Sequence, residues 1–488
     1  MSAQTAKQWW IRSERVVLGG VSAPLQVAPA TLAIVGDRIV AVVQEPRADF
    51  LTRSAAMPDG LEVVDRGGDV VSPAFIDSHV HSAMLYFRGL GHALAMRGNV
   101  IEDLYYRVEV ALQPGDVRAF ARVGAYELLR AGTATIWEHY YFGEQAALGL
   151  ADAGITGFVA PTLQDVKGPG TVWLEQQISD TLAIDTSKTL RDAGLFAALG
   201  PHATDSVSPA LWRRVAALSD AHTLPIHAHV AQSIEEVERA HATCGGSPVD
   251  LLKAAGVLDV AQRFLLVHGI FLSDSDLAQL DPTRHTLVFC PYSQLQFSFP
   301  ADVLRWSRAG MPWTVATDCG ACNDGMDVQK ELRLVAGQRA LAASWSDAQR
   351  HFGDHGGLAA AHALEATRRS AFDALPDWGR SEALLQRVWS VPGALDPRWP
   401  VGAIEAGRVA NLACWDADHP ALWPCEDPLR ALAMGSPGPA LVDLYVRGAR
   451  CGGSSGIRGL IEQPEVREAI AEARGRLRHL LRRVDALG

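Results

Sequence analysis

The sequence predicts an α/β protein, a (β/α)8 TIM-like barrel with a small β-sandwich domain formed by both termini. Three observations lead there. From about residue 71 to 390, short apolar, β-branched runs ending in polar residues alternate with longer stretches of helical period. Eight such runs occur: Ala74 to His81, Thr133 to His139, Thr156 to Ala160, Leu195 to His202, Pro225 to His229, Phe264 to His268, Thr286 to Pro291 and Pro312 to Asp318. Strand alternating with helix implies parallel pairing, and eight strands are the count for a closed barrel. Second, most of these runs end on or near His, Asp or Cys, and a barrel gathers its strand ends on one face. A doubly wound open sheet also alternates, but it does not gather strands one, five, six and eight. Third, the flanking segments read as short alternating strands joined by Gly-containing turns.

Taken in order, residues 1–70 carry three such strands: Arg15 to Leu18, Ala33 to Val43 and Leu61 to Asp65. They predict antiparallel β structure and the first half of the sandwich. Residues 71–390 form the barrel. Its connecting segments, including Asp116 to Ala131, Pro209 to Ala221 and Ile234 to Ala242, place apolar residues at helical spacing behind helix-starting Asp, Ser or Pro. Residues 391–455 return to strands at Val409 to Trp415 and Leu441 to Gly448, completing the sandwich. Within residues 456–488, Pro464 to Leu487 is a basic-striped amphipathic helix, read as packed on the body with a solvated outer face.

Composition bounds the function. The chain of 488 residues is 48% hydrophobic and 20% charged, ordinary globular material. A net charge of −11 and the lack of a Lys/Arg-rich run argue against nucleic acid as a partner. No stretch approaches a membrane span, and the first ten residues lack a signal peptide's apolar centre, so a cytoplasmic location is expected. Seven scattered cysteines fit a reducing compartment. Cys319 and Cys322 have the spacing of a redox or zinc pair, but no second pair accompanies them.

In Val71 to His81, residues two apart point to the same side of a strand, so His79 and His81 aim both rings at one point beyond its end. Any one strand-end histidine is an ordinary core residue, and a second H-x-H occurs at His227-Ala-His229. Four candidates at barrel strand ends change that reading: His79, His81, His229 and Asp318 match the three or four N/O ligands of a divalent ion with an open water position. The set suits zinc, iron, manganese or cobalt; one zinc is expected, with iron the alternative. His268 at the end of strand six either holds the metal's water or ligates the ion itself. Strand four ends in Gly200-Pro-His202-Ala with no lysine to bridge two metals, so the site is expected to be mononuclear, with His202 as a substrate contact.

These motifs resemble the amidohydrolase superfamily, in its deaminase and chlorohydrolase branch. The resemblance spans nearly the whole chain and rests on Pro73 to His81, Arg88-Gly-Leu, Ala131-Gly-Thr-Ala-Thr, Gly200-Pro-His-Ala, Ile226-His-Ala-His-Val-Ala-Gln, Val267-His-Gly, Ala316-Thr-Asp-Cys-Gly and Val401 to Leu412. It implies His79, His81, His229 and Asp318 as ligands, His268 beside the attacking water and Asp318 as acceptor of its proton. It also implies a small heterocyclic substrate and a homodimer.

The departures are as informative. The branch places a glutamate three residues after the strand-five ligand to carry protons to the leaving group; here that position is Gln232, whose amide transfers no proton at neutral pH. Recruiting Glu235 or Glu236 instead requires unwinding the next helix. Asp205, Glu138 and Asp165 lie beyond strand ends as alternative relays, although such carboxylates are more often caps. Asp205 replaces a usual tyrosine, and Gln294 lies in Tyr292-Ser-Gln where Ser-Asn is common; both are expected at the substrate. Met84, Tyr86, Trp137, Tyr140, Trp173 and Phe297 are candidate pocket walls. The expected reaction is hydroxide attack, promoted by the metal, on an electron-poor carbon of a nitrogen heterocycle, with deamination first. Loss of a halide, thiolate, amide or urea group is the alternative that Gln232 raises. A non-catalytic metal-binding scaffold is the third reading.

Overall fold

A parallel sheet closes into a barrel only when every strand finds two neighbours, and the chain meets that condition. The computed structural model describes residues 7–55, 61–89, 99–297, 300–344, 347–373 and 379–486. The barrel strands are β1 (Phe75–His81), β2 (Thr133–Tyr140), β3 (Thr156–Leu163), β4 (Leu195–Ala197, resumed at Gly200–Pro201), β5 (Ile226–Val230), β6 (Phe264–His268), β7 (His285–Phe289) and β8 (Trp313–Val315, resumed at Asp318–Cys319). Each pairs in parallel with the next; Leu199 bridges to Ile226 between β4 and β5, and Asp318 pairs with Val80 to bring β8 back to β1. That closure excludes the open-sheet alternative.

The connecting helices lie close to their expected spans: Pro114–Arg130, Pro209–His222 and Ile234–Cys244. Local chemistry sets their ends. Ser208 and Ser233 cap the second and third by accepting from the backbone N–H groups of Leu211 and Glu236, and Gly245 ends the third in the left-handed conformation. Gly157 in β3 answers a tighter demand: a Cβ there would lie 1.9 Å from the Ile136 carbonyl oxygen of β2.

Inward-facing side chains fill the barrel in layers. Ile76, Trp137, Phe158, Leu265, Val267 and Val288 belong to one buried cluster. Trp137, expected at the substrate, stacks on Phe158 at 4.2 Å between ring centroids and is 1% exposed. It shares the inward side with His139 but lies one layer deeper, which side-chain alternation along β2 cannot reveal.

Strands from both ends of the chain hydrogen-bond into one eight-stranded sheet. Gln8–Leu18 pairs antiparallel with Gln26–Val35, as expected, but parallel with Glu62–Asp65 and Val70–Pro73. The helix Arg47–Ala55 lies in the connection that makes this return possible. Leu412–Trp415 joins on Val70–Pro73, the strand that runs on through Ala74 into β1. The helix Pro464–Ala486 packs on Pro114–Arg130, where Arg483 and Arg476 pair with the buried Asp116.

Candidate active site

At the C-terminal end of β1, His79 and His81 meet His229 from β5, His268 from β6 and Asp318 from β8. Asp318 Oδ1 lies 3.6 Å from His79 Nε2 and 3.5 Å from His81 Nε2, and Oδ2 lies 3.9 Å from His268 Nε2. All five are buried, none more than 8% exposed. His268 and Asp318 both have left-handed backbones, with φ of 76° and 72°. Such conformations cost about 1–3 kcal/mol each and cluster at functional sites; here they occur where the strands end at the cavity.

The tautomers follow from the second ring nitrogens. His81 Nδ1 donates to the carbonyl of His139, and His229 Nδ1 donates to the carbonyl of His202 at 2.9 Å. Each Nε2 is therefore bare, and the two lie only 3.3 Å apart with lone pairs opposed. His79 Nε2 is likewise buried without a hydrogen-bond partner, while its Nδ1 lies 2.9 Å from His227 Nε2. Burial pushes the His81, His229 and His268 imidazoles down from their ordinary value, and His79 to about 3. Burial would raise the Asp318 carboxyl, yet the group lies below its ordinary range, with His79 the first of the lowering causes. Neutral imidazoles around one carboxylate are the protonation state a divalent cation requires, so these residues fit such an ion. Asp77 steadies the arrangement, accepting from Thr317 Oγ1 at 2.6 Å and thereby tying β1 to β8, and Ser293 Oγ donates to Asp318 Oδ2 at 2.6 Å.

A cavity of about 520 Å³ opens over this cluster. Met84, His202, Asp205, Gln232, His268 and Gln294 line it. His202 does double duty, contacting the cavity and orienting His229 through its carbonyl. Gln294 is held by the His268 carbonyl and the Ala301 N–H. Gln232 is half-buried; its backbone N–H donates to Glu236 Oε2 at 2.7 Å. Glu236 lies behind it, buried and bonded to Thr204 Oγ1, while Glu235 is at the cavity wall, so the helix stays wound.

Of the three substitute carboxylates, only Asp205 reaches the cavity, paired with Lys167 at 2.8 Å. Glu138 is buried beneath, accepting from the Ser82 N–H, and Asp165 is an exposed cap on Ser208. Trp173 packs outside the cavity, against Phe142 and Tyr141, and Tyr86 stands behind Tyr140. The Phe297 side chain lies outside the described residues. Cys319 and Cys322 line the cavity with their sulfurs 2.9 Å apart, and burial keeps both as thiols.

Sequence reasoning missed His139, Ser293, Lys167 and Glu109. His139 ends an expected strand and was legible there; Glu109 lies after β1 in a segment without barrel periodicity.

The amidohydrolase family pattern matches residues 70–372. The 5-methylthioadenosine/S-adenosylhomocysteine deaminase of Thermococcus kodakarensis is 27% identical over 380 residues, 77% of this chain and 81% of that protein. Among solved structures, an adenosine deaminase from Xanthomonas campestris with bound zinc superposes with a TM-score of 0.76 at 22% identity, covering 98% of each chain. A mutant atrazine chlorohydrolase from Arthrobacter aurescens, complexed with zinc and atraton, gives 0.75 at 18% identity, covering 96% of this chain and 99% of that one. With the barrel and the convergent histidines in place, these matches show that the chain belongs to the amidohydrolase family and is a metal-dependent hydrolase.

Proposed function

We propose that the chain holds one divalent ion, zinc foremost and iron as the alternative, through His79, His81, His229 and Asp318, and that it catalyses hydrolytic deamination of a nitrogen heterocycle. The observation that carries this reading is the pair of bare Nε2 atoms of His81 and His229, 3.3 Å apart and buried beside Asp318. Opposed lone pairs in a dry site are unfavourable unless a cation lies near both. When bound, the ion would act as a Lewis acid that lowers the pKa of water to near neutrality.

The chain's own residues then do the rest. Asp318, its Oδ2 held by Ser293, accepts the proton of the attacking water and returns it to the departing amine, which leaves as ammonia. His268 stabilises the charge that grows as water attacks, and Met84, His202, Asp205 and Gln294 contact the substrate. Gln232 orients the leaving group by hydrogen bonding. The absence of a lysine at the end of β4 supports a single ion. The sheet built from residues 1–70 and 391–455 is, on this reading, the small β-sandwich domain that braces β1.

An amine leaving group is supported by the curated relatives, which are deaminases. Gln232 supports a second reading, in which the leaving group departs as an anion and needs no proton. Ammonia and product should be measured together on zinc-loaded protein with amino-, chloro- and alkylthio-substituted purines, pterins and triazines. One ammonia per product is expected. Product without ammonia replaces deamination by the second reading, and no turnover at full metal occupancy overturns both.

A further inference from the structure

The histidine cluster and Gln232 leave another part of the cavity lining unexplained, and that wall is acidic and aromatic. Glu109, in the short helix Tyr106–Glu109, lines the cavity and is 3% exposed. Tyr140 OH donates to its Oε1 at 2.8 Å, with Tyr86 OH another 2.8 Å behind. No basic group stands beside it among the described residues, and burial pushes its carboxyl up to about 7. Four tyrosines line the same cavity: Tyr105, Tyr106, Tyr140 and Tyr141. The hydroxyl of Tyr105 is buried and finds no hydrogen-bond partner among the described residues. Lys167, which also lines the cavity, is already engaged by Glu102 at 2.5 Å and Asp205 at 2.8 Å. Among the described residues, Glu109 is left without a cationic partner.

We propose that this wall is a subsite for an organic cation, so that the substrate is a heterocycle bearing a positively charged substituent such as a protonated amine. A buried carboxylate flanked by aromatic rings is the environment that compensates a cation removed from water: the carboxylate supplies the opposite charge, and the electron-rich ring faces attract the cation. The cation in turn restores Glu109 to its ionised form. A neutral apolar substituent there would leave the Glu109 carboxylate without a counter-charge and the Tyr105 hydroxyl without a partner. The proposal rests on the hydrolase reading only in taking the occupant of this cavity to be the substrate.

Binding separates the two. On zinc-loaded protein at pH 8, calorimetric titration with benzylamine and with its neutral analogue benzyl alcohol should show the ammonium bound at least about tenfold more tightly. Glu109→Gln, which keeps an acceptor for Tyr140, should abolish that preference while zinc content and circular dichroism stay unchanged. Tyr140→Phe, which frees the carboxylate but keeps the ring, should retain it. Equal binding of the two probes by the wild type, or an unchanged preference in Glu109→Gln, overturns the proposal. Neither titration involves turnover, so failure of the hydrolase reading would appear in the ammonia assay and leave these results standing.

Discussion

His81 and His229 show how little of a metal site is visible in one residue. Each donates Nδ1 to a carbonyl, from His139 and His202, and that contact is what bares the nitrogen that matters. His229→Ala should lower bound zinc to well below one per chain by elemental analysis and reduce turnover by about 10³-fold or more. Gln232 tests the opposite quality, a group present but without a proton to move. If the amine reading holds, Gln232→Glu should raise ammonia release by about 10²-fold, the lower end of general acid–base effects; an unchanged rate would mean that the proton comes from elsewhere in the cavity. The proposed ligands were legible as strand-end candidates because strand alternation and the motif around them are local properties. Asp165 and Glu138, offered as relays beside their commoner reading as caps, could not be placed from the sequence, because a carboxylate near a strand end looks the same whether it holds a helix's capping residue, as Asp165 holds Ser208, or lies beneath the cavity, as Glu138 does.

At the scale of elements, β2 carries the clearest division of labour. His139 faces the cavity, while Trp137, two residues earlier, packs the layer below against Phe158. Trp137→Ala should therefore destabilise the fold by about 3–5 kcal/mol in urea unfolding, as large-to-small core changes do. A selective rise in KM without loss of stability would return Trp137 to the substrate. Glu138, between them, is buried, and burial raises its carboxyl from 4.5 to about 7 despite the Ser82 hydrogen bonds. A raised folded value means that its contribution is fully present below pH 4.5 and is lost as pH rises through 7. Relative to Glu138→Gln, the wild type should lose about 3 kcal/mol between pH 4.5 and 8, at 1.36 kcal/mol per pH unit, measured by urea unfolding at each pH. The strands and their helices were readable from period and caps. The parallel return of Glu62–Asp65 and Val70–Pro73 beside Gln8–Leu18 was not, because pairing direction depends on the path of the connection.

Across the whole molecule, the proposed ligands come from β1, β5 and β8 to one buried site, so its occupancy should be felt by the entire barrel. Chelation should lower Tm, and zinc at about 1,000 times its Kd should restore about 4 kcal/mol, observed as a Tm that rises with added zinc. A Tm indifferent to zinc would mean that the ion binds the folded chain no better than the unfolded one. By itself the sequence determined the barrel, the strand ends that carry chemistry, and the glutamine where a proton carrier is usual, because alternation, caps and motifs act over a few residues. The tertiary structure alone decided the depth of Trp137, the tautomers set by the carbonyls of His139 and His202, and the convergence of Glu109 with four tyrosines on the cavity. Those features depend on groups far apart in the chain meeting away from water, where a charge or lone pair must find its partner in space.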